Sequence, residues 1–145
     1  MKYKRLIGVF MVSAVLAACS SVQTPEVELE SQVLTCANPT IVGDQFNNVL
    51  VGGPGNDVIA GLAGNDVIDG MGGNDLICGN DGDDLIYGND GDDKVDGNNG
   101  NDKVYGNAGN DHVFGSAGDD SLFGNAGDDN VAGGPGDDYL NGGPT

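Results

Sequence analysis

Tryptophan is absent from this 145-residue sequence, aromatic residues number only eight, and five basic residues face 23 acidic ones. The formal net charge of −18 excludes a nucleic-acid-binding protein, because binding to a phosphate backbone requires clustered lysine and arginine. Glycine fills 27 positions, but without the Gly-X-Y triplets of a collagen triple helix. The length permits at most one modest domain. High charge with few large apolar residues also fits a disordered chain, so the order of the residues must decide between a folded and a disordered protein.

The first 19 residues have the layout of an export signal. Three basic residues among the first five precede an apolar stretch of 13 residues, 6–18, which is too short to cross a bilayer of about 30 Å. The stretch ends in Leu16-Ala17-Ala18-Cys19, which resembles the lipobox of bacterial lipoproteins. The resemblance implies removal of residues 1–18, acylation of Cys19, and anchoring at the outer membrane or cell surface. An ordinary signal peptide with a chance cysteine is the alternative.

The segment that follows, residues 19–39, is expected to be the lipid anchor and a tether. Residues 20–35 have no clear helical or strand period and carry three glutamates, which favours a flexible acidic linker. Two or three acyl chains at Cys19 would hold the chain on a membrane far better than one.

From Gly52 to Asn141 the chain repeats every nine residues in ten complete copies. Positions one and four are glycine and position six is aspartate in all ten copies. Position five is always Asn or Asp, and position eight is always Ile, Val or Leu. Residues 43–51 keep the spacing but lack the second glycine and the aspartate, so they are expected to be a degenerate N-terminal cap.

These units match the pattern G-G-x-G-x-D-x-U-x of RTX, or hemolysin-type calcium-binding, repeats, and the chain resembles that family over the ten copies. A glycine-rich low-complexity segment is the alternative, but such a segment would not keep an aliphatic residue at position eight of every unit. The resemblance implies an all-β fold, a right-handed parallel β-roll or β-solenoid, over residues 40–145.

The repeat itself predicts how such a roll is built. Positions seven to nine form a short strand in which only position eight points inward, and two units make one 18-residue turn. Glycines at positions one and four permit positive φ there. Ten units give five turns. The predicted core consists of Ile59, Ile68, Ile77, Ile86, Val95, Val104, Val113, Leu122, Val131 and Leu140.

The position-six carboxylates stack at strand spacing, where they repel one another and require a cation. They are Asp57, Asp66, Asp75, Asp84, Asp93, Asp102, Asp111, Asp120, Asp129 and Asp138. Six to eight oxygen ligands suit Ca²⁺ better than Mg²⁺. The resemblance implies that each ion lies between stacked loops, with carboxylates from both loops and carbonyls from the first four loop positions. The glycines of those loops are Gly52, Gly55, Gly61, Gly64, Gly70, Gly73, Gly79, Gly82, Gly88, Gly91, Gly97, Gly100, Gly106, Gly109, Gly115, Gly118, Gly124, Gly127, Gly133 and Gly136.

The number of ions follows from the number of gaps. Five loops on each edge leave four gaps, so about eight Ca²⁺ are expected. Residues 52–141 contain 19 acidic residues against two lysines, and eight Ca²⁺ nearly cancel the resulting −17. The aspartates at position five are interpreted as solvent-facing charge rather than ligands.

Two cysteines remain in an exported compartment that permits disulfides, Cys36 and Cys78. Residues 40–42 are in phase to stack on 58–60 and 76–78. The four residues from Cys36 to that strand reach about 13 Å, and two rungs are about 9.6 Å apart. A Cys36–Cys78 bridge is therefore feasible, and two free or intermolecular thiols are the alternative.

Position nine on one face places Tyr87, Tyr105 and Phe123 in register. Stacking along the strands would stabilise them by about 0.2–1 kcal/mol per pair, and a binding stripe for a glycan or protein is the other interpretation. The single histidine, His112, is expected to be an exposed surface residue.

The sequence therefore predicts a calcium-stabilised lipoprotein module without catalysis, and a surface adhesin is the alternative. RTX rolls often accompany enzymes, but neither HExxH nor GxSxG occurs, and about 24 residues separate Cys19 from the first degenerate repeat. The chain ends inside a repeat, which with the N-terminal signal favours the general export route. The sequence names no protein or glycan partner.

Overall fold

The computed structural model describes residues 36–145, which form short parallel strands in two sheets. The signal segment and Cys19 lie outside the described residues. The strands are β1 (Ile41–Val42), β2 (Val49–Val51), β3 (Val58–Ala63), β4 (Val67–Asp69), β5 (Leu76–Asp81), β6 (Leu85–Asp90), β7 (Lys94–Asn99), β8 (Lys103–Ala108), β9 (His112–Ala117), β10 (Ser121–Ala126), β11 (Asn130–Ala132) and β12 (Tyr139–Asn141). The chain alternates between the sheets, so the predicted all-β parallel roll is confirmed. No helix of residues 36–145 is long and apolar enough to cross a membrane.

Each sheet contains six strands, in the orders β1-β3-β5-β7-β9-β11 and β12-β10-β8-β6-β4-β2. Partners are offset by 18 residues, as in Ile59↔Ile77 and Ile68↔Ile86, which confirms two nonapeptides per turn. The stack has about six turns rather than the predicted five, because β1 and β2 add strands ahead of Gly52.

The core is a single column of position-eight side chains. Those that are completely buried are Ile59, Ile68, Ile77, Ile86, Val95, Val104, Val113 and Leu122. Ile41, Leu50 and Val131 are partly buried and pack against this column at its ends. The prediction was wrong for Leu140, which is 49% exposed because β12 is the edge strand of its sheet.

The central strands are longer than the three residues predicted. β6, for example, continues from position seven through position three of the next unit. At position two the backbone of Asn89 adopts φ 76°, yet Asn89 still pairs with Asn107 one turn on. The strand therefore bends without leaving the sheet.

Positive φ occurs at positions two and four of the repeat and not at position one, where it was predicted. Position two is most often asparagine, which tolerates the left-handed region better than other side chains. Position four is glycine, as in Gly91 with φ 131°. The glycine at position one has a different function, which concerns the loops described below.

A disulfide joins Cys36 to Cys78, with 6.1 Å between the two Cα atoms. It ties the segment ahead of β1 to β5, two strands further along the same sheet. In the chain-entropy view, closing a loop of this length stabilises the fold by about 4 kcal/mol. The disulfide therefore fastens the N-terminal end of the roll.

Candidate metal sites in the stacked loops

Positions one to six form loops that stack along two edges of the roll. One edge carries residues 43–48, 61–66, 79–84, 97–102, 115–120 and 133–138, and the other carries 52–57, 70–75, 88–93, 106–111 and 124–129. Because the sheets keep an 18-residue register, each loop position lies next to its equivalent in the neighbouring turn.

One oxygen of each position-six carboxylate from Asp66 to Asp138 is occupied by the fold. The backbone N–H of Asp75 donates to Oδ1 of Asp93 at 2.8 Å, and the N–H of Asp93 donates to Oδ1 of Asp111 at 2.9 Å. The same bond recurs in every turn from Asn48–Asp66 to Asp120–Asp138. These bonds fix where the second oxygen, Oδ2, points.

In eight of these aspartates, Oδ2 is buried and has no hydrogen-bond partner. They are Asp66, Asp75, Asp84, Asp93, Asp102, Asp111, Asp120 and Asp129. Burying an ionised oxygen without a partner is costly, so each of these atoms requires a cation or a proton.

The position-one glycine lies beside this second oxygen. A Cβ added at Gly70 would lie 2.5 Å from Oδ2 of Asp75 and 2.8 Å from the carbonyl oxygen of Gly88 in the next turn. Two oxygens, one of them charged, thus face the same small space. Glycine is needed at position one because a side chain would fill that space.

Burial also makes the carboxylates of the central loops hard to ionise. The pKa of Asp93 is raised to about 7, chiefly by desolvation on burial and also by the neighbouring carboxylate charges, against the lowering effect of the backbone hydrogen bond from Asp75. Burial likewise raises the pKa of Asp102 to about 7 and of Asp84 and Asp111 to about 6. Near neutral pH the central loops therefore favour an added positive charge.

The donor atoms indicate which cation fits. Within residues 36–145, no three His, Cys, Asp or Glu side chains converge on one point. A metal held here must take carboxylate oxygen together with backbone carbonyls, a set of hard donors that suits Ca²⁺ and not the nitrogen and sulfur sites of zinc. The residues present therefore fit the calcium predicted from the sequence.

Position five forms a second ladder that the sequence interpretation missed. The N–H of Asp92 donates to Oδ1 of Asn74 at 3.1 Å, and Oδ1 of Asp92 accepts from the N–H of Asn110 at 2.8 Å. These side chains are exposed, as expected, but they also link successive turns. The restriction to Asn or Asp was the available signal, since both supply Oδ1. Position six is never Asn in the ten copies, so there the second carboxylate oxygen is required.

The two ends of the series differ from its middle. Oδ2 of Asp57 already accepts the N–H of Gly53 at 2.7 Å. At the other end, a Cβ at Gly124 would lie 2.6 Å from the carbonyl oxygen of Gly142, in the incomplete eleventh unit, and also against Oδ2 of Asp129. The eleventh unit thus supplies the same carbonyl as a complete repeat.

The predicted aromatic stripe is a stack of rings. The ring centroids of Tyr87 and Tyr105 are 5.2 Å apart and those of Tyr105 and Phe123 are 4.8 Å apart, with nearly parallel planes. Both faces of Tyr105 are therefore covered, which fits the stabilising interpretation better than a stripe of open ring faces for a sugar. His112 is exposed, and its ring centroid lies 6.5 Å from that of Phe114.

A family model described as RTX calcium-binding nonapeptide repeat (4 copies) matches residues 42–77, 79–113 and 114–144, more than half of the chain. Comparison with curated proteins and with solved structures yields no match. The matched segments contain all ten position-six aspartates.

Proposed function

Because this chain belongs to the RTX calcium-binding nonapeptide repeat family, we propose that it is a calcium-stabilised, exported lipoprotein module without catalytic activity. The observation that carries the calcium part is the set of eight buried Oδ2 atoms without partners, each beside a position-one glycine. Asp96 is the one buried carboxylate of the described residues that does not stand at position six. Its Oδ1 accepts hydrogen bonds from the N–H of Asn98 and the hydroxyl of Ser116, so it is not counted among the calcium sites.

One calcium ion is proposed for each of the eight partnerless Oδ2 atoms. This total of eight equals the number of gaps between complete loops that the sequence predicts. At the edge that carries Asp57 and Asp129, however, the ions are assigned to different gaps. The gap at Asp57 is excluded, since Gly53 donates to its Oδ2, and the gap between Asp129 and Gly142 is included.

Substitution at the two ends of this edge should reveal the assignment. Asp129→Asn keeps the Oδ1 that accepts the N–H of Asp111 but removes the charge at Oδ2, so it should lower the number of bound ions from about eight to about seven. Asp57→Asn is the matched control and should leave the number unchanged. Equilibrium dialysis with calcium measures both. Loss of an ion from the Asp57 variant alone would reverse the assignment.

A methyl group at position one should block the same sites. Gly70→Ala places Cβ between Oδ2 of Asp75 and the Gly88 carbonyl, so we expect it to raise the calcium concentration at the folding midpoint by up to about twofold. Gly72→Ala is the control, because its Cβ would meet no atom closer than 3.8 Å. Circular dichroism during calcium titration compares them, and equal midpoints for the two variants would contradict the proposed sites.

The lipoprotein part rests on the lipobox sequence that ends at Cys19. Cys19→Ala should abolish acylation and release the protein from the membrane fraction, whereas the unchanged chain should yield a diacylglycerol-modified N-terminal peptide in mass spectrometry. A mature chain that starts elsewhere, without lipid, would refute the anchor while leaving the calcium sites unaffected.

A further inference from the structure

Exposed large apolar side chains concentrate at the N-terminal end of the roll. We call them the N-terminal collar: Val42, Phe46, Val49, Val51, Leu62, Val67 and Met71. Along the described chain the next exposed large apolar residues are Tyr139 and Leu140, at the opposite end. The collar is therefore a local feature and not a property of the repeat.

The collar surrounds the first turns on several sides. Val42 lies on the edge strand β1, while Val49, which is 75% exposed, lies on the edge strand β2. Phe46 and Leu62 belong to one loop edge and line an open groove of about 280 Å³ with Ala63, Asp44 and Gln45. Met71 lies on the other loop edge.

Two collar residues hold backbone conformations that their side chains disfavour. Leu62 has φ 81° and Met71 has φ 74°, at position two of their repeats. In the units that follow, position two is asparagine or serine, except in the last complete unit, where it is glycine. A bulky apolar side chain in the left-handed region costs free energy, and these two are about half exposed, so they gain little burial within the roll.

The chain enters the roll at this same end. Cys36 is bonded to Cys78 just ahead of β1, and 16 residues lie between it and Cys19. A stretch of that length spans at most about 60 Å. An acylated Cys19 would therefore allow the collar to reach the bilayer surface.

Charge decides which lipid surface fits. The described chain has no Lys or Arg before Lys94, while Asp44 lies in the groove beside Phe46. Anionic headgroups would be repelled, so contact must come from apolar burial among zwitterionic headgroups. We propose that the N-terminal collar docks on a zwitterionic lipid surface; this inference rests on the proposed lipid anchor.

The absence of tryptophan makes the contact measurable with single reporters. Phe46→Trp places a reporter in the collar, and Tyr139→Trp places the control at the far end, where the native side chain is 57% exposed. The acylated proteins are incorporated with calcium into phosphatidylcholine vesicles whose acyl chains are brominated. We expect at least twofold quenching of Trp fluorescence for the collar variant relative to unbrominated vesicles, and no change for the control.

Vesicle flotation separates failure of the anchor from failure of the docking. If the Phe46→Trp protein floats but its fluorescence is not quenched, the docking is overturned. The collar would then be a candidate surface for a protein partner instead. If the protein does not float, the anchor is refuted, and the same reporters on Cys19→Ala chains at saturating lipid test the collar alone. Quenching there supports docking, and its absence overturns it. Val49→Trp is a second collar reporter in case Phe46→Trp does not fold.

Discussion

Asp93→Asn should lower the free energy of unfolding of the calcium-loaded protein by about 1.5–3 kcal/mol. The asparagine keeps the Oδ1 that accepts the N–H of Asp75, but it replaces the buried, partnerless Oδ2 by an uncharged amide nitrogen. Loss of an interaction to a charged group costs about that much. Because several ions bind as the chain folds, the calcium midpoint rises by a smaller factor than the same loss would give at a single site.

The matched control is Asp92→Asn, one residue earlier. Asp92 is exposed, and its contribution to the roll is an Oδ1 that asparagine also has, so we expect the free energy of unfolding to change by less than about 0.5 kcal/mol. Asp138→Asn, at the last loop, should also have a small effect, because Oδ2 of Asp138 is not among the eight buried, partnerless atoms. Urea unfolding at saturating calcium, followed by far-UV circular dichroism, measures all three, and equal losses for Asp92 and Asp93 would contradict the distinction between the two ladders.

In EGTA the protein should lose its β signal and give the spectrum of a coil. The roll buries one aliphatic side chain per nine residues, a small return for ordering nine backbones, and it buries eight carboxylate oxygens without partners. Metal that binds only the folded chain must supply the difference. The measurement is circular dichroism before and after calcium is restored.

Calcium should restore the fold at about 10⁻⁴ to 10⁻³ M, the range of extracellular calcium modules. The titration should be steep, because each inner loop faces a site on both sides. Mg²⁺ at the same concentration should be much less effective, since it requires a tighter octahedron and retains its waters. A chain already folded in EGTA, or one that responds equally to Mg²⁺, would show that calcium is not needed.

The strict nonapeptide period explains why the architecture could be predicted. An invariant aliphatic residue at position eight fixes one inward side chain per strand, and an 18-residue turn fixes the register that pairs Ile59 with Ile77. The invariant aspartate at position six likewise identified ten residues, which include all eight whose second oxygen is buried without a partner.

Features that depend on three-dimensional packing were not predictable in the same way. Glycine at position one was attributed to φ, whereas its role is to leave space for Oδ2 and a carbonyl oxygen from the next turn. The different roles of Asp57 and Asp129 depend on a single N–H from Gly53 and on a carbonyl from Gly142. Leu140 has the pattern of a core residue, but it lies on an edge strand.

X-ray diffraction from calcium-loaded crystals at a wavelength where calcium scatters anomalously tests the central claim most directly. The predicted map has one peak beside Oδ2 of each of the eight partnerless aspartates, including Asp129 and excluding Asp57. Peaks at the exposed position-five side chains instead, or a folded roll with no calcium peak at position six, would contradict the account.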